Sequence, residues 1–130
     1  MFPCDAPPSE FEFLIRRAEG RSCYFEWSGG KLQWYHESVS GLAPLECRPP
    51  GAAWQQFWEA VEGASTWDWE KVYAMQGDEV PEVEAWRLHL VRGAQRVTSR
   101  GGRAHAGEPL PPSPRGLALL IDAVQRLVGG

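Results

Sequence analysis

The sequence predicts a two-layer α+β sandwich, a mostly antiparallel sheet of about five or six strands in the order βββα-ββ(β)α with two helices on one face. Three observations lead there. Two alternating aromatic runs meet at a Gly-Gly turn, a second alternating run closes on a Gly-Ala turn, and two segments carry apolar residues at helical spacing.

Residues 1–9 (MFPCDAPPS) are rich in proline and read as a flexible arm ahead of a single domain over 10–130. Phe11, Phe13 and Ile15 then alternate with Glu12, Leu14 and Arg16, the pattern of a strand with one buried face, which Gly20 ends. Ser22 to Trp27 and Leu32 to His36 flank Ser28-Gly29-Gly30-Lys31. Both glycines accept positive φ, so a two-residue hairpin is predicted in which Trp27 faces Leu32, Phe25 faces Trp34 and Cys23 faces His36. These six side chains share a face expected in the core. Tyr24, Glu26, Gln33 and Tyr35 take the other.

Gly41, Pro44, Pro49 and Pro50 break residues 37–51 into a connection with a short edge strand around Leu45 to Cys47. Trp54, Phe57, Trp58 and Val61 recur at i, i+3, i+4, i+7 and predict a helix stopped by Gly63. Residues 65–74 are ambiguous: Trp67, Trp69 and Tyr73 alternate as in a strand, while Ser65 and Asp68 form a rough capping pair. A strand is expected. The acidic DEVPEVE segment leads into Trp86, Leu88 and Leu90, and Gly93-Ala94 closes a second hairpin onto Gln95 to Ser99. Residues 100–116 read as a loop. Ser113 and Pro114 then open a helix whose stripe is Leu117, Leu120, Ile121, Val124, Leu127 and Val128. A shift of 63 residues aligns Phe25 with Leu88 and Gly30 with Gly93, which either a decayed duplication or the shared patterning of amphipathic elements produces.

The chain has 130 residues, enough to bury roughly two-thirds of its unfolded surface without metals or disulfides. No apolar run reaches the roughly 18 residues of a membrane helix, and Met1 to Glu10 lacks the basic start and apolar stretch of a secretory signal, so a cytoplasmic location is expected. Cys4, Cys23 and Cys47 are too few and too scattered for a disulfide framework or a zinc site. No cofactor or metal is expected.

Net charge is -4, but residues 1–84 carry 6 basic and 15 acidic side chains while residues 85–130 carry 7 and 2. Eleven of the 13 basic residues are Arg, which suits bidentate anion contacts and also follows from a GC-rich genome. Overall acidity argues against nucleic acid as a partner. Cys23 opposite His36 resembles a nucleophile with its base, yet its apolar surroundings favour a structural role. The carboxylates from Asp68 to Glu84 match no calcium loop and read as a solvated face. Pro109-Leu110-Pro111-Pro112 has P-x-x-P spacing and equally serves as a rigid link into the last helix.

With no catalytic constellation, the expected function is a non-catalytic module that binds another protein, such as a small acidic bacterial adaptor or inhibitor. The alternative is a small-ligand, anion-binding or enzymatic domain with an aromatic cleft holding Arg and His. The candidate binding residues are Trp67 and Trp69, as interface anchors, with Arg87, His89, Arg96 and Arg100 as anion ligands. In the second hairpin Arg87 faces Arg100, and Asp68 and Glu70 on a neighbouring strand are expected to neutralise them.

Overall fold

Phe11, Phe13 and Ile15 bury their side chains almost completely on one face of the first strand, and that strand becomes the middle of the sheet. The computed structural model describes residues 5–17, 22–36, 45–74, 83–102, 114 and 116–128, without the side chains of residues 35, 36 and 74. Its strands are β1 (Glu10–Arg17), β2 (Ser22–Ser28), β3 (Lys31–His36), β4 (Leu45–Cys47), β5 (Val72–Ala74), β6 (Val83–Arg92) and β7 (Gln95–Gly102). The helices are α1 (Gly51–Gly63) and α2 (Leu117–Leu127). Sheet order is β4-β3-β2-β1-β6-β7-β5, antiparallel throughout except for the parallel β5–β7 pair. The α+β sandwich is therefore as expected, with seven strands among the described residues rather than five or six.

Both hairpins adopt the register that their turns dictate. Gly29 and Gly30 have φ of 61° and 80°, and Gly93 has φ of 59°, so each turn uses the left-handed region open to glycine. Cys23, Phe25 and Leu32 from the first hairpin, with Trp86, Leu88, Leu90 and Val97 from the second, form the inner face. Trp54, Phe57, Trp58 and Val61 of α1 and Leu117, Leu120, Ile121, Val124 and Leu127 of α2 cover it. Each such side chain contributes roughly 1.5–3 kcal/mol through burial. Edge-on ring contacts lock the layers: Phe11 to Phe57 at 5.5 Å and Trp27 to Trp54 at 5.4 Å. Trp27 and Trp34, expected inside, are half-buried at the rim, because only the three-residue β4 extends the sheet beyond β3.

Residues 65–74 correct the expected strand. Ser65 ends α1 in the left-handed region (φ 52°), a 3-10 turn spans Thr66–Asp68, and only Val72–Ala74 pairs, parallel to β7. The alternating Trp67, Trp69 and Tyr73 each pack on a ring of the core, Trp58 or Trp86, rather than along one strand face. Trp67 stacks on Trp58 at 6.3 Å, Trp69 meets Trp86 edge-on at 5.5 Å, and Tyr73 lies 6.0 Å from Trp86.

β7 also runs further than expected, through Gly101 and Gly102. Gly101 opposes Trp86, whose indole occupies the space a β-carbon would need, so the glycine is a seat for a ring rather than a loop signal. Gly116 at the start of α2 similarly packs against Ala64 at the end of α1. Pro114 accepts the Leu117 N–H at 3.1 Å; Ser113, the expected cap, lies outside the described residues, as do Cys4 and the P-x-x-P run.

Residues 5–9 of the expected arm are held on the domain. Pro8 is buried, the Ala6 carbonyl accepts Trp58 Nε1–H at 2.7 Å, and the Ser9 N–H donates to Val91 at 2.8 Å.

The 63-residue echo does not reflect a duplicated hairpin. β2 and β6 both run antiparallel to β1 and both turn their apolar residues to the helices. β3 lies on one hand of β2 and β7 on the other hand of β6, so the hairpins are of opposite hand and cannot superpose. Two copies of one unit would share a hand.

Candidate functional site: the open face of the sheet

Strand alternation sends every second side chain away from the helices, and no described helix covers that outer face. Its rows follow from the register. In one row Tyr24 opposes Leu14, Leu14 opposes Arg87, Arg87 opposes Arg100 and Arg100 opposes Val72. In the next, Glu26 opposes Glu12, Glu12 opposes His89 and His89 opposes Thr98. Arg96 opposes Val91 nearer the turn.

Directly opposed positions bring β-carbons within roughly 4.5–5.5 Å, so like charges there repel. The face holds two such pairs, Arg87–Arg100 and Glu12–Glu26. Among the described residues no carboxylate lies within 4.0 Å of Arg87, Arg96 or Arg100, and no cation within 4.0 Å of Glu12 or Glu26. The expected neutralisation by Asp68 and Glu70 is absent, because the segment that carries them is not a neighbouring strand. Asp68 sits on the 3-10 turn, and Glu70 precedes β5 with its carbonyl accepting Ser99 Oγ–H.

Lys31, Glu46, His89 and Glu10 on this face are paired. Lys31 Nζ lies 2.9 Å from Glu46, and that bond holds the Glu46 carboxyl below its ordinary pKa. His89 bonds Thr98 Oγ1 through Nδ1 at 2.9 Å and Glu10 through Nε2 at 3.3 Å. Tyr24 donates its hydroxyl to Glu26 at 2.8 Å. The directly opposed like-charge pairs are acidic across β1 and β2 and basic across β6 and β7, with Arg16 on β1 a further exposed cation that has no carboxylate within 4.0 Å among the described residues.

The six residues singled out in the sequence are thus divided. Arg87, His89, Arg96 and Arg100 share the open face, whereas Trp67 and Trp69 lie on the helix side, half-buried. Trp67 Nε1 donates to Glu62 at 3.2 Å and Trp69 Nε1 to the Ala64 carbonyl at 3.0 Å. A depression of about 500 Å³ runs beside Trp69, Asp68 and Gly116, and a cavity of about 70 Å³ lies between the helices. Neither is lined by any of the four open-face residues.

Cys23 stands opposite His36 as expected, but it is buried, and burial pushes its thiol pKa up against a smaller opposing pull from Arg17. A reactive thiolate needs the reverse. Among the described residues no three His, Cys, Asp or Glu side chains gather as a metal ion would require, and no helix is long and apolar enough to cross a membrane.

Two features escaped the sequence. Glu12–Glu26 depends on the β1–β2 register, which no tight turn announces. Arg92 shares the inward parity of Leu88 and Leu90, a signal present in the alternation. Its guanidinium sits 4.5 Å over the Trp58 ring and 3.8 Å from Glu62, a cation shielded at the sheet's end. Compared with known proteins, the chain matches no family model, and no curated protein is similar to it.

Proposed function

We propose that this protein is a non-catalytic module that binds a protein partner through the open face of its sheet. The observation that carries this reading is the Arg87–Arg100 pair, two exposed guanidinium groups directly opposed with no carboxylate among the described residues within 4.0 Å. Such a pair is unfavourable in the isolated chain, and a bound carboxylate relieves it by bidentate hydrogen bonding. The two depressions on the helix side contain none of the charged residues of this face. That supports docking over catalysis in a cleft.

The test is a titration of fluorescently labelled protein, at nanomolar concentration, with poly-glutamate in low and high salt. Binding that weakens with salt and is lost in Arg87→Ala/Arg100→Ala supports the reading. Equal binding by the variant, or none by the wild type, contradicts it.

A further inference from the structure

We propose that the occupant of the open face is a second copy of this chain, docked face to face so that the Glu12–Glu26 pair of each copy meets the Arg87–Arg100 pair of the other. This rests on the reading of the face as a binding surface and names its partner. The face carries two directly opposed like-charge pairs of opposite sign, the acidic one across β1–β2 and the basic one across β6–β7. Lys31–Glu46 and Glu10–His89 are already matched within the chain. A purely acidic partner relieves the arginines and worsens the repulsion at Glu12 and Glu26. Relieving both pairs takes a partner with both signs in reversed order.

A second copy meets that condition by symmetry. A two-fold axis lying in the face and inclined to the strands, running from Leu14 on β1 to His89 on β6, carries the row of Glu12 and Glu26 across to the neighbouring row of Arg87 and Arg100, which brings each glutamate pair over an arginine pair. Closed two-fold dimers require such a self-complementary patch. Leu14 lies next to that axis, half-buried and between Tyr24 and Arg87, so the middle of the contact is the more apolar part and the charges lie outside it.

Sedimentation velocity on the full chain across micromolar concentrations, in low and high salt, tests this. The wild type is expected to dimerise in low salt, with a dissociation constant that rises about tenfold or more in high salt. Arg87→Glu/Arg100→Glu and Glu12→Arg/Glu26→Arg should each be monomeric alone, weakened about a hundredfold, and should form a one-to-one heterodimer when mixed. Should either reversal lower the melting temperature, Arg87→Gln/Arg100→Gln serves instead, with loss of the dimer expected. A wild type that stays monomeric, a dimer indifferent to these substitutions, or folded reversed variants that fail to combine overturns the proposal. A monomer that still binds poly-glutamate through Arg87 and Arg100 overturns self-docking alone; a monomer that binds none overturns the underlying reading as well.

Discussion

Ser65 holds the left-handed conformation without being glycine, and an L side chain there costs roughly 1–2 kcal/mol. It is exposed, so its side chain recovers little of that cost. Ser65→Gly should raise unfolding free energy by about 0.5–1 kcal/mol, read from the denaturant midpoint; a loss would mean that the hydroxyl holds the turn after α1. Cys23 offers a pH-dependent counterpart. Burial raises its pKa, so as pH climbs past the ordinary thiol value of about 8.5 the unfolded chain loses its proton first and stability falls. Cys47 is shifted the same way by burial. Cys23→Ala should flatten the alkaline decline in stability, and a thiol reagent should label native Cys23 far more slowly than the unfolded chain. Fast native labelling would return Cys23 and His36 to the list of candidate chemistry.

The elements divide by whether a local signal encodes their neighbour. In both hairpins a glycine turn sets the pairing two residues away, and Phe25–Trp34, Trp27–Leu32, Arg87–Arg100 and His89–Thr98 all form in the register read from the sequence. The placement of β1 between the hairpins was not legible, because its pairing with β6 joins residues 66 to 81 positions apart. Nor was the 3-10 turn at Thr66–Asp68, where rings that pack on Trp58 and Trp86 imitate strand alternation. Gly101 misled for a related reason: a glycine that reads as a loop breaker serves instead as the space in which Trp86 lies. Gly101→Ala should destabilise by about 1–3 kcal/mol through overpacking, measured by thermal or chemical unfolding. A neutral outcome would show that the indole moves aside freely.

At the scale of the whole molecule, the two helices and seven strands among the described residues leave one face of the sheet without a covering helix. The Arg-rich half of that face was legible in the second hairpin alone, whereas its acidic half became visible only once β1 and β2 were paired. The separation of Trp67 and Trp69 from the arginines follows from layer rather than sequence distance, since the 3-10 turn returns them to the helix side. On the proposed reading, Arg87 and Arg100 are opposed for a partner and not for the fold. A double-mutant cycle on their alanine variants, by chemical unfolding of the dilute chain, measures this most directly. A repulsive coupling of about 0.2–1 kcal/mol is expected, with the double variant at least as stable as the wild type. An attractive coupling, or a double variant less stable by about 1 kcal/mol or more, would show the pair to be structural and contradict it.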